Sequence, residues 1–191
     1  MIEVFDTAAA GIALARRKLG CPDCPGPLRP WGHARERTVR DLHGTPVTVR
    51  PDRALCPACQ ATHVILDAGL LPRRAYAGRL IGQALLAAAR GSGHRRIALD
   101  LDIPAGTVRG WIRGARRSAV ELRVTGIRAA VAYDQDALPA PSGAGELRFS
   151  LECLAAAAVV TGRRLGLEHV SPWAMINVLT RGRLLDMAPA G

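Results

Sequence analysis

The spacing of apolar positions changes character near residue 73. Before it, short runs alternate: RTVRDL (37–42), PVTVR (46–50) and THVIL (62–66) read as strands, with HGTP (43–46) as the turn between the first two. After it, the spacing is helical. AYAGRLIGQALLAAAR (75–90) puts Leu80, Ile81, Ala84, Leu85 and Ala88 on one face. GSG (91–93) ends that helix, and Ser92 is positioned to cap the next. HRRIALDLDI then sets Ile97, Ala98 and Leu101 on one side, DIPA makes a turn, and a third helix carries Val108, Trp111 and Ile112 at i, i+3, i+4.

Further on, SAVELRVTGIRAAVAY (118–133) carries Val120, Val124, Ile127 and Val131 in steps of four and three residues. Such a stripe is expected to pack onto its own chain, with Gly126 weakening a long helix; a short homodimer seam is the alternative. DQDALPAPSGAG (134–145) has linker composition. A helix over about 148–164 holds Cys153 as a small core residue. Ser171-Pro172 starts a last helix that ends near Gly182, with Trp173, Ile176 and Leu179 on its apolar side. The expected organisation is a strand and helix at 1–20, a zinc ribbon at 21–72, a helix-turn-helix domain at 73–133, a linker at 134–147 and a helical segment at 148–191.

Within the ribbon, CPDC (21–24) and CPAC (56–59) repeat one pattern, proline directly after the first cysteine, with 31 residues between the pairs. Residues 1–20 set Glu3 and Asp6 before an apolar run and basic residues after it, the reverse of a secretory signal. A cytoplasmic, nucleoid-associated location is therefore expected, and in a reducing compartment disulfides seldom persist. A redox CxxC needs a helix directly behind it, and Pro25-Gly26 prevents one. Two such knuckles instead supply four thiolates, a set that suits one structural Zn²⁺ with no open coordination position. Cys21, Cys24, Cys56 and Cys59 are the expected ligands. His63 is expected as a strand or surface residue rather than a ligand, and His33 and His43 have no ligand spacing.

Composition adds a partner. Of 26 basic residues Lys18 is the only lysine, against 16 acidic residues, for a net charge of +10. GC-rich codons account readily for arginine over lysine, but less readily for the excess of positive charge, which points to a polyanion. Aromatic residues make up only 4% of the chain, so the core is aliphatic. The apolar run LAAAAVV (154–160) is too short to cross a bilayer, and no membrane partner is expected.

The charge gathers on the helix pair. Two short helices joined by DIPA, with Ala98 at the crossing and an apolar corner of Ile97, Leu101, Ile103, Val108 and Trp111, have the spacing of a helix-turn-helix. Asp102 stands where glycine is usual, and aspartate tolerates a left-handed backbone better than most residues. With Val108, Trp111 and Ile112 inward, Ala105, Gly106, Arg109, Gly110 and Arg113 face outward. Arg109 and Arg113 are candidates for guanine edges. Arg95, Arg96, Thr107, Arg116 and Arg117 are candidates for phosphates. Two exposed glycines between arginines make sense where the backbone must come close to a groove.

CPDC…W…R…CPAC…TH followed by HRRIA…TVRGWIR is similar to the N-terminal DNA-binding region of certain insertion-sequence transposases. From MIEVFD to SPWAMINVLTRGRLL the chain also resembles an uncharacterised family of short actinobacterial proteins described only as helix-turn-helix. The motif likeness covers residues 1 to about 120. It implies double-stranded DNA as partner, zinc, and a link to mobile elements, and it supplies no activity. Transposase nucleases gather three carboxylates around two Mg²⁺ ions on a sheet. Beyond residue 120 this chain has Glu121, Asp134, Asp136, Glu146, Glu152, Glu168 and Asp186, with no strand-rich segment to assemble them.

The expected fold is mainly α, with a small N-terminal β zinc ribbon, a helix-turn-helix core and a helical C-terminal extension. The expected function is non-catalytic, sequence-specific DNA binding, as a transcriptional regulator or mobile-element-associated protein. No small-molecule substrate is evident. The alternative is an adaptor that docks on a transposase or on transcription machinery.

Overall fold

The computed structural model describes residues 1–42, 46–140 and 145–187. Most of the expected turn HGTP and part of the 134–145 linker lie outside them. About 47% of the chain is helical, and a small mixed sheet lies near the N-terminus.

The order is β1 (Ile2–Val4), α1 (Thr7–Ala15), β2 (Arg29–His33), β3 (Arg37–Arg40), β4 (Pro46–Val49), β5 (Asp52–Leu55), β6 (Thr62–Asp67), α2 (Gly78–Ala89), α3 (His94–Leu101), α4 (Ala105–Arg117), α5 (Ala119–Val131), α6 (Glu146–Leu165) and α7 (Pro172–Leu179). Four strands form one sheet in the order β1-β6-β5-β2, while β3 and β4 form a separate two-stranded sheet. β1 joins β6 in parallel, Ile2 opposite Ile65, and β5 runs antiparallel to both β6 and β2. The three runs legible as strands are therefore split. THVIL belongs to the main sheet, whereas RTVRDL and PVTVR make a separate hairpin.

α1 is capped by Asp6, whose carboxylate accepts from the Ala9 amide at 2.9 Å. The helix closes a small core of Ala10, Leu14, Leu28, Ala54, Cys56 and Ile65 over the sheet. The larger core belongs to the helices: Ile81, Leu85, Ile97, Val108, Leu122, Leu154 and Leu184 are each at most 1% exposed. α2 begins at Gly78 rather than at residue 75, because Ala77 is held by the carbonyl of Arg40 (N···O 2.8 Å). Ser92 does not cap α3. Gly93 occupies the N-cap position, with no side-chain cap.

One further expectation is corrected. Of the stripe, Val120, Val124 and Val131 are 50, 36 and 47% exposed and only Ile127 is half-buried, so most of it does not pack onto the chain. α5 buries Leu122, Gly126 and Ala130 instead. Gly126 does not interrupt the helix: a Cβ there would stand 2.7 Å from the Cys153 carbonyl carbon, so its absence lets α5 and α6 approach closely. On α7, Trp173 lies over Gly82 of α2, and a Cβ at Gly82 would meet its ring at 2.1 Å.

Candidate functional site

The two cysteine pairs form matching knuckles. The Cys21 amide donates to the Gly26 carbonyl and the Cys56 amide to the Ala61 carbonyl, both at 2.9 Å and both five residues on. Pro22 and Pro57 fix φ at the start of each turn. β5 delivers the second knuckle, and the bridge between Gly20 and Pro27 closes the first. Gly26 lies between them: a Cβ there would sit 3.0 Å from Ala58 Cβ, 3.2 Å from Cys56 Sγ and 3.4 Å from Cys24 Sγ.

The four sulfurs lie within 4.8 Å of one another. Cys21 and Cys59 are 3.7 Å apart, and Cys24 and Cys56 are 3.4 Å apart. With metal–sulfur bonds of about 2.3 Å, a regular tetrahedron sets its sulfurs about 3.8 Å apart. The donors are therefore arranged to hold a metal ion. Their protonation behaviour points the same way. The Cys59 amide, helped by the Cys24 thiol, brings Cys56 down to about 7. Cys59 goes the opposite way: the Ala61 amide lowers it, but burial and the three neighbouring thiols together push it up to about 12. Cys24 is also raised, the Gly26 amide being outweighed by the Cys56 thiol and burial. Thiols this close resist ionising together, and a cation among them removes that resistance.

His63 is neither exposed nor remote. It is 4% exposed on β6, with Nε2 3.5 Å from Cys21 Sγ and 3.8 Å from Asp23 Oδ2. Cys21, Asp23 and His63 form a second set of possible donors. The four-sulfur set is complete without it, and the imidazole stands against Cys21 Sγ from outside that set. His33 pairs with Asp52 at 3.0 Å, away from the cluster, and His43 lies outside the described residues.

The second candidate surface is α4 with its surroundings. Asp102 takes the left-handed conformation, φ 50° and ψ 55°, directly after α3, and Pro104 precedes α4. Val108, Trp111 and Ile112 are buried, while Gly106, Arg109, Gly110, Arg113, Arg116 and Arg117 are exposed and Ala105 and Thr107 are half-buried. On α3, Arg95 and Arg96 are both exposed, and Arg96 is engaged with Asp100 at 3.0 Å. Added Cβ atoms at Gly106 and Gly110 would meet nothing within 4 Å, so both open onto free space. Two hollows flank the helix. One, of about 530 Å³, is lined by His94, Arg109, Arg113 and Arg116. The other, of about 370 Å³, is lined by Arg74, Thr107, Gly110 and Arg117.

The hairpin between the cysteine pairs reaches this surface. Arg40 of β3 contacts Asp102 in the turn at 3.2 Å and lies over Tyr76, whose ring meets Trp111 edge-on. Arg37 donates to the carbonyls of Leu71 and Arg74, and burial there lowers its pKa. Asp41 accepts from Arg79 on α2 at 2.5 Å and raises its pKa. The sequence signals did not single out Arg74, Arg37, Arg40 or Gly26. The Arg73-Arg74 doublet after a strand was a legible cue for the first, whereas the others act through contacts that no local pattern encodes.

No helix among the described residues is long and apolar enough to cross a membrane. No curated protein and no solved structure matched the chain. Residues 21–111, which run from the first cysteine of the cluster to the tryptophan that seats α4 on the core, are similar to the family described as Domain of unknown function (DUF6431).

Proposed function

We propose that this protein binds double-stranded DNA in a sequence-specific, non-catalytic way, with α3 and α4 as a helix-turn-helix and α4 as its recognition helix. The observation that carries this reading is the outer face of α4. Arg109 and Arg113, one turn apart, project beside a backbone left open at Gly106 and Gly110. A helix that must lie deep in a major groove gains from both features: arginine forks pair with guanine, and missing side chains let the backbone approach. The chain's net charge of +10 favours the same partner.

The metal in this reading is one Zn²⁺ held by Cys21, Cys24, Cys56 and Cys59, with a structural role. It ties together the two ends of the segment that carries β3 and β4, and that hairpin touches the turn before α4 through Arg40 and Asp102. The order of parts, a cysteine cluster followed by a basic helix pair, favours a role as a transcriptional regulator or mobile-element-associated protein.

The test is selection of a preferred duplex from random sequence, followed by binding of variants at fixed salt. Arg109→Ala and Arg113→Ala should each cost about 1–3 kcal/mol on the selected site and relax preference at one position. Arg116→Ala, near the helix end, should weaken all duplexes alike and reduce the salt slope by about one. Identical behaviour of all three on selected and random duplexes would remove α4 as the reading element and favour a protein-docking role.

A further inference from the structure

Going beyond DNA binding, we propose that the protein self-associates through α5, two copies packing antiparallel about a two-fold axis between Val124 and Ile127. Single exposed apolar residues are ordinary on protein surfaces. Here Val120, Val124, Ile127 and Val131 follow one another in steps of four, three and four, the spacing of a coiled-coil seam, and the three valines are 36–50% exposed. The opposite face of α5 is already committed to α6 through Leu122, Gly126 and Ala130.

The charges beside the stripe identify the occupant as a second copy. Glu121 and Arg128 flank it on the same side, and neither has an ion-pair or hydrogen-bond partner among the described residues. In the antiparallel arrangement Val120 faces Val131 of the second copy and Val124 faces Ile127. Glu121 then comes opposite Arg128, and the symmetry repeats the pair. A parallel arrangement would set Arg123 opposite Arg128. The stripe is thus complementary to itself in one orientation, as an isologous interface must be. A seam of two heptads sits at the low end of interface sizes, about 1,200 Å² of total buried surface or less. Association is therefore expected at micromolar concentrations rather than below.

Sedimentation equilibrium of the full chain without DNA tests this independently of the DNA reading. The apparent mass should rise from 20.3 kDa toward twice that value across the micromolar range. Val124→Glu should hold the protein at the monomer mass. Glu121→Arg and Arg128→Glu each place like charges opposite one another twice, and each should weaken association at least about tenfold. The double variant E121R/R128E restores opposite charges and should return to within a few-fold of the parent. Arg128 is exposed and Glu121, though half-buried, has no ion pair or hydrogen bond to lose among the described residues, so circular dichroism should show all three charge variants folded. A monomer at every concentration, which would leave the stripe for a different protein, overturns the proposal. So does a dimer whose double charge variant is no better than the single ones.

Discussion

Substituting Gly110 by alanine separates stability from binding more cleanly than any arginine variant. α4 carries glycines at 106, 110 and 114, four residues apart, yet their surroundings differ. Nothing lies within 4 Å of a Cβ at Gly110, whereas a Cβ at Gly114 would sit 2.5 Å from the Leu185 carbonyl oxygen. Gly110→Ala therefore adds helix propensity without a clash, about 1 kcal/mol in a helix interior. In a chain of this length that raises the melting temperature by about 2–4 °C. If the same backbone seats against a groove wall, the added methyl crowds a close contact and costs about 1–3 kcal/mol. That is roughly a 5- to 150-fold rise in Kd. Gly114→Ala is the control, since its methyl meets backbone inside the protein and should lower the melting temperature. The assays are thermal melting by circular dichroism and fluorescence anisotropy on a selected duplex at constant salt. A Gly110→Ala protein that is more stable and binds as tightly as the parent would refute close backbone approach, and would leave both exposed glycines without a functional account.

Three other outcomes are expected. Purified protein should carry one zinc per chain by mass spectrometry under native conditions. Cys21→Ser or Cys56→Ser should release it, and acidification should do so too, because protonating the thiolates removes the ligands; a folded metal-free cluster or a disulfide between the pairs would count against the site. Chelation should weaken duplex binding even though no cysteine lies on α4, and Arg40→Ala should reproduce part of that loss with the metal still bound; unchanged affinity in both would mean the hairpin does not position the turn. Gly126→Ala should destabilise the fold by about 1–3 kcal/mol in urea unfolding despite its better helix propensity, since α5 and α6 must separate to admit the methyl.

The parts of this protein that bonds within a few residues create were legible in its sequence. The knuckles are closed by amide contacts five residues apart, so CPDC and CPAC announced a cysteine cluster before any tertiary information. Helical spacing identified Leu80, Ile81, Ala84 and Leu85 as one inward face, and Val108, Trp111 and Ile112 as another. Asp102 was recognisable as a left-handed position because the corner between α3 and α4 requires one. β2 and β5 were not legible: RPWGH and DRAL do not alternate, and what makes them strands is each other and β6. Nor was the reach of Arg37 and Arg40 across to the helices, or the role of Gly26 between two knuckles 31 residues apart. α5 shows the limit most clearly. Periodicity marked one stripe, Val120, Val124, Ile127 and Val131, which was expected to turn inward because such stripes more often pack onto their own chain; the face holding Leu122, Gly126 and Ala130 carried no signal of its own. The fold chose the other face because glycine lets two helix backbones come close enough for contact along their length, and only the arrival of α6 from beyond residue 145 makes that contact available. A sequence records which residues share a face; what stands opposite that face is a property of the assembled chain.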